Sequence, residues 1–180
     1  MKLSHQLVIL VLLIASIAPV VNARNNFIKG LSVELWDGLN YPLDKQDGTQ
    51  SKIANNLGVN FMYTFDESPW DCGIFMQSGT AKRKYTDAGK VNCRSTSFGI
   101  TGNYNFLQKR KFHPFAGIGL GPAYNYFKDS DGHKHHSWAV VCVPRIGVEM
   151  WQFVRVTAYV QLTKREYSTF GVSLGLVFGK

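Results

Sequence analysis

The run that most constrains this chain is its last, Thr169 to Lys180, reading Thr-Phe-Gly-Val-Ser-Leu-Gly-Leu-Val-Phe-Gly-Lys. Phe170, Val172, Leu174, Leu176 and Phe178 fall on one face at period two. The other face carries Gly171, Ser173, Gly175 and Gly179, broken only by Val177. Alternation by itself marks any half-buried strand. A barrel that spans a membrane adds a condition: its last strand must close on its first, because lipid cannot satisfy an open edge. A strand with bulky apolar residues out and small or polar residues in suits that closing position.

The chain ahead of this run repeats the pattern. Phe27 to Trp36 puts Leu31, Val33 and Leu35 opposite Ser32 and Glu34, and predicts a first strand. Asp37 to Gln50 holds Gly38, Asn40, Pro42, Asp47 and Gly48, turn residues that predict a long polar loop. A second strand over 51–65 alternates Leu57, Val59, Phe61, Tyr63 and Phe65 with Gly58, Asn60, Met62 and Thr64. The third, over 70–85, loses its alternation around Ser78 to Lys84. The fourth, over 92–106, sets Phe98, Ile100, Tyr104 and Phe106 against Gly99, Thr101, Asn103 and Asn105. The fifth, Phe115 to Phe127, sets Ala116, Ile118 and Leu120 against Gly117, Gly119 and Gly121, which suits a crowded, curved wall. Lys128 to Ser137 reads as a polar loop. The sixth strand is Trp138 to Trp151 and the seventh is Val154 to Leu162, where Val154, Val156, Ala158 and Val160 oppose Arg155, Thr157, Tyr159 and Gln161.

With the closing run this makes eight strands, each long enough for a tilted bilayer crossing. A water-soluble barrel of this size, a secreted calyx for a small apolar ligand, would turn its apolar face inward. Here the face opposite the bulky apolar one carries Gly, Asn and Thr with the charges Glu34, Arg145, Glu149 and Arg155. These predict a polar lumen. Trp36, Trp70, Trp138 and Trp151 fall near predicted strand ends, where interface girdles place aromatics.

The N-terminus reads as a secretory signal. Lys2 supplies the positive start, Leu7 to Ile17 an apolar core, and Val21 and Ala23 the small residues of a cleavage site. Residues 1–23 are the expected leader and 24–180 the barrel domain. The formal charge of +8 suggests anionic partners. No nucleic-acid module is visible, so lipid or glycan phosphate is the better match. Lys82, Arg83, Lys84, Lys90, Arg94, Lys128, Lys134, Lys164 and Arg165 all fall near the expected outer rim, at the level of lipid phosphate. The three cysteines, Cys72, Cys93 and Cys142, cannot all pair within one chain. Cys72 and Cys93 sit at opposite ends of a regular hairpin, so no essential disulfide is expected.

Pro114 to Gly121, Pro144 to Glu149, Val154 to Leu162 and the glycine-alternating end together resemble the small outer-membrane β-barrels of the OmpX/OmpA type. The resemblance implies an all-β, eight-stranded antiparallel up-and-down barrel in the outer membrane. It also implies insertion there by the outer-membrane assembly machinery. That machinery usually reads a final aromatic, whereas Phe178 here is followed by Gly179 and Lys180.

A second resemblance touches chemistry. The spacing of His135, Ser137 and Glu149 is similar to the active-site segment of the lipid A 3-O-deacylases (PagL type), which are also eight-stranded outer-membrane barrels. It implies Ser137 as nucleophile, His135 as base and Glu149 as the acid that orients the base. The Asn that follows the Ser in that family is Trp138 here. On one unbroken strand, Ser137 and Glu149 would sit about 40 Å apart. Glu149 is then better read as a lumen charge facing Arg145 or Arg155. The segment Asp129 to His136 offers aspartates and histidines but no closing Glu, so it reads as a solvated loop with no metal. Nothing in the sequence calls for a cofactor.

The expectation is therefore a non-enzymatic envelope protein, structural or adhesive, whose basic rim faces lipopolysaccharide and whose loops could take an extracellular ligand. A lipid A esterase and a narrow solute channel are the alternatives. A channel would need a continuous polar lumen with no plugging Arg/Glu pairs.

Overall fold

The structure, a computed structural model, describes residues 30–44, 49–66, 68–85, 89–107, 111–128 and 134–179. Of residues 49–51, 81–85, 89–92 and 128 it describes the backbone alone. The expected leader, the start of the first run at Phe27 and the acidic part of the loop after Lys128 lie outside the described residues.

The strands are β1 (Leu31–Pro42), β2 (Thr49–Lys52), β3 (Ala54–Thr64), β4 (Trp70–Tyr85), β5 (Gly89–Asn105), β6 (Phe112–Lys128), β7 (Lys134–Met150), β8 (Val154–Gln161) and β9 (Thr169–Phe178). Each pairs antiparallel with its neighbours. The short β2 pairs with the far end of β4 and continues the line of β3. β1 closes on β9 from Val33 opposite Phe178 to Pro42 opposite Thr169. The result is a closed, eight-staved, up-and-down barrel. One end carries the tight connections 65–69, 106–111 and 151–153; the other carries the remaining loops. β4 to β7 run 16 or 17 residues, against 8 to 12 for β1, β8 and β9, so the wall is taller on one side at the loop end.

The two faces are inverted relative to a soluble barrel. Ile100, Val140, Ile146 and Leu174 point outward with 60–75% of their surface exposed, while Asn56, Asn103, Asn125, Glu149 and Arg155 are essentially inaccessible inside. An outward apolar band around a polar interior is what lipid selects. Trp70, Tyr104, Phe106, Phe112, Trp151 and Phe153 ring the turn end in mutual aromatic contacts, and Tyr41, Phe170, Tyr124 and Trp138 do the same toward the loop end. These are the two interfacial girdles.

Three expectations need correction. The first strand does not stop at Trp36 but continues through Pro42. Gly38 and Asn40 have the composition of a turn, yet they take inward positions while Leu39 and Tyr41 point out. Trp36 therefore lies mid-strand and inside the lumen, 9% exposed, and is not a girdle residue. The described ends of the loop expected over Lys128 to Ser137 are wall: Lys128 pairs with Lys134 and Asn125 with Ser137. Inward glycines make room for bulk opposite them. A Cβ at Gly119 would come within 3.0 Å of the Phe75 ring.

Candidate functional site

The lumen is stratified. In its turn-end half, Arg155 donates from Nη1 to Glu34 Oε2 at 2.8 Å and from Nη2 to Glu149 Oε2 at 2.5 Å. Asn60 Nδ2 donates to the same Glu34 oxygen at 2.8 Å. The Arg155 guanidinium also lies 4.8 Å from the Phe115 ring centre, a cation–π contact. Beside it, Arg145 donates to Asn103 Oδ1 at 3.0 Å and to Thr101 Oγ1 at 2.7 Å. Above these charges, Trp36, Phe75, Ala123, Val141, Val143 and Tyr159 pack together as an apolar layer. Trp36 and Tyr159 meet with ring centres 5.7 Å apart. Higher still, Gln77 donates to Gln161 and Gln161 to Ser95, while Asn56 donates to the Tyr159 hydroxyl. The void between Glu34, Trp36, Arg145 and Tyr159 is about 20 Å³, room for about one water.

Glu34, Arg145, Glu149 and Arg155 all lie inside, as the alternation implies, and three of the four form one ion-pair cluster. Asp71 and His113, which the sequence does not single out, are buried there as well. Neither carboxylate oxygen of Asp71 meets a donor, and Asn103, its register partner, has an Nδ2 without an acceptor. A buried polar group left without a partner costs about 1–3 kcal/mol. Asp71→Asn is accordingly expected to raise stability by about 1–3 kcal/mol, read as a shift in urea midpoint in lipid vesicles. A loss of stability instead would show that the Asp71 charge balances Arg145.

The opposite end of the barrel, the loop end, carries the described rim cations. Arg94 is exposed and donates to Ser78 Oγ at 3.2 Å. Lys134 and Lys164 are exposed. Arg165 donates to Asp44 at 3.0 Å, so its charge is already engaged. Backbone pairing carries Lys82, Arg83, Lys84 and Lys90 to the tip of the β4–β5 hairpin and Lys128 to the top of β6. A recess at this end is lined by Cys93, Phe127, Ser137, Lys164, Glu166 and Tyr167.

His135 and Ser137 share the inward face at this loop end. Glu149 does not join them: it lies twelve positions down the same strand, about 40 Å away, and is held by Arg155. The Ser–His–acid arrangement of the deacylase resemblance is not assembled. Cys72 pairs with Gly102 and Cys93 with Ala81, so they stand nine positions apart, and none of the three cysteines is in a disulfide. Among the described residues no group of His, Cys, Asp or Glu could hold a metal ion.

Comparison with known proteins rests on shape. No family model matches the chain, and no curated protein does. Neisserial surface protein A superposes with a TM-score of 0.57, at 13% identity, over 84% of this chain and 97% of that one. The chain has the fold of the small outer-membrane β-barrels. Ail, the attachment invasion locus protein of Yersinia pestis, gives a TM-score of 0.48 at 13% identity over 83% of this chain and 97% of that one. The N-terminal barrel domain of Pseudomonas aeruginosa OprF gives 0.47 at 16% identity, over 82% and 96%. At these identities the likeness is one of fold.

Proposed function

We propose that this chain is a non-enzymatic outer-membrane protein of the cell envelope, delivered by a cleaved leader. Its sealed barrel carries a basic rim against lipopolysaccharide phosphate and displays its loop end for adhesion. The observation that supports this most is the lumen. An ion-pair cluster and an apolar layer cross it in succession, so the interior is spent on holding the wall together and the loop end is left as the working surface. A solute channel would need a continuous polar path, and the Trp36–Phe75–Tyr159 layer interrupts it.

Rim binding has a direct test. Of the rim cations read from the sequence, Arg94, Lys134 and Lys164 are the ones outside the Arg165–Asp44 pair whose side chains the structure describes. A Lys or Arg beside an anionic lipid surface contributes about 1 kcal/mol. Replacing all three by Gln should weaken binding of lipopolysaccharide by about a hundredfold at low salt. Retention unchanged by the three substitutions would count against the rim. The lipid A mass spectrum, from cells with and without the protein, separates this reading from an esterase: identical acylation is expected, and a missing acyl chain that returns in Ser137→Ala would overturn it.

A further inference from the structure

On the tall side of the barrel the aromatic stack runs past the girdle. Across β4 to β7 one row of register reads Ser78, Thr96, Tyr124 and Trp138, and the next outward row reads Thr80, Arg94, Tyr126 and His136. Centre to centre, the Tyr124 ring lies 5.2 Å from Trp138 and 5.6 Å from His136, and His136 lies 5.1 Å from Tyr126. The Tyr124 hydroxyl meets His136 Nδ1. These rings sit on the outer face, opposite in parity to the buried Ala123, Asn125 and Val141. Arg94, the register partner of Tyr126, is exposed, and its Nε donates to Ser78 Oγ at 3.2 Å. Ser78 Oγ in turn lies 3.1 Å from Thr96 Oγ1. Two positions further toward the loops, one row of register holds Lys82, Asn92, Lys128 and Lys134. Each residue on a stave tilted by about 40° climbs about 2.5 Å along the barrel axis. Arg94 and His136 are each four residues loopward of an exposed apolar residue, Phe98 and Val140, so they stand about 10 Å above it. On the short side the strands end at the girdle: β1 stops one residue past Tyr41 and β9 begins one residue before Phe170.

We propose that the outer face of β5 to β7 is a discrete, one-sided site for a single lipopolysaccharide molecule, an inference that rests on the reading of a basic rim against that lipid. Acyl chains lie on Phe98, Leu120 and Val140, all exposed and apolar. A phosphate meets the Arg94 guanidinium, and a sugar ring packs its C–H face on Tyr126 and His136. The guanidinium is a planar fork that takes phosphate through two parallel hydrogen bonds, and its bond to Ser78 holds that fork against the wall. Aromatic rings suit a boundary where one edge is apolar and the other wet. Along each of these staves the outward order is apolar, then hydroxyl or aromatic, then the Arg94 row, with the lysine row above. That is the order of a phosphorylated glycolipid from tail to head. A soluble polyanion would match the cations and leave the apolar rows beneath them without a role in binding.

The test uses the full chain folded in neutral-detergent micelles, titrated with deep-rough lipopolysaccharide that carries both lipid A phosphates. Native mass spectrometry counts the lipid, and one tightly held molecule per barrel is expected. Arg94→Gln should weaken binding at least tenfold, against about fivefold for Lys164→Gln, the effect of one charge near an anionic surface. Tyr126→Ser changes no charge and should still weaken binding at least fivefold. Enzymatic removal of the phosphates should weaken the native chain at least tenfold and cost Arg94→Gln at least threefold less, because its phosphate contact is already gone. Mobility shift on unheated gels confirms that each variant is folded. Tyr126→Ser binding as tightly as the native chain, or Lys164→Gln losing as much as Arg94→Gln, would overturn the site while leaving a diffuse basic rim in place. A polysulfated oligosaccharide without acyl chains that binds as tightly as the lipid would overturn it in favour of a soluble polyanion. The rim reading itself fails on a different result, retention unchanged in both Arg94→Gln and Lys164→Gln, and the site fails with it.

Discussion

Arg155→Met is expected to cost about 3–5 kcal/mol of folding stability, the effect of removing one partner from a buried ion cluster. Arg155, Glu34 and Glu149 have side chains at most 4% exposed, and the guanidinium bridges both carboxylates. Without it, two carboxylates face each other in a closed space, with Asn60 still donating to Glu34. The loss comes from those stranded charges and much less from the pair itself. Hence the triple variant Glu34→Gln, Glu149→Gln, Arg155→Met should recover most of the deficit, since replacing a whole buried cluster by neutral groups is often close to neutral. Urea unfolding in vesicles reads both. If the triple variant is as unstable as Arg155→Met alone, packing of the arginine against Phe115 contributes more than the charges do, and the electrostatic account is wrong.

The barrel is legible in the sequence because lipid makes a simple demand. Each crossing must alternate, and the runs from Val154 to Gln161 and Thr169 to Phe178 do so almost without exception. Parity alone assigns Glu34 and Arg155 to the interior. It does not show that they meet, because they lie 121 residues apart in the chain and their register is set by the closure of β1 on β9. The stretch from Asp37 to Pro42 misleads. Gly38, Asn40 and Pro42 mimic a turn in composition, and the carboxylate at 37 breaks the apolar face at the one place where lipid should forbid it. Leu39 and Tyr41 carry the continuing alternation, a signal masked by the polar residues between them. Asp71 is hidden for the opposite reason: it follows the tight Asp66-Glu67-Ser68-Pro69 connection and reads as part of it. The serine–histidine resemblance fails on distance, since residues 137 and 149 lie twelve positions apart on one extended strand, whereas a helix or a loop could fold them together.

Trp36→Ala should be the second large effect, at about 3–5 kcal/mol, the usual cost of emptying a large aromatic site. The indole packs on Tyr159 and covers Gly58, where a Cβ would lie 2.5 Å from the ring. The neighbours that line the void, Gln77, Arg145 and Tyr159 among them, are held by hydrogen bonds of their own, and the polar groups around the emptied site invite water. The same variant asks which layer seals the lumen. Water entering at Trp36 would connect the Gln77–Gln161 tier to Asn60 and Glu34, but the Arg155 cluster still stands below. Planar-bilayer recordings should therefore stay silent for the native protein and for Trp36→Ala alike. Discrete steps in Trp36→Ala alone would assign the seal to the apolar layer and reduce the ion cluster to a structural brace. Steps in the native protein would restore the channel reading, because they would require Trp36, Phe75 and Tyr159 to move aside together in a wall whose inward glycines leave those rings no other place to go.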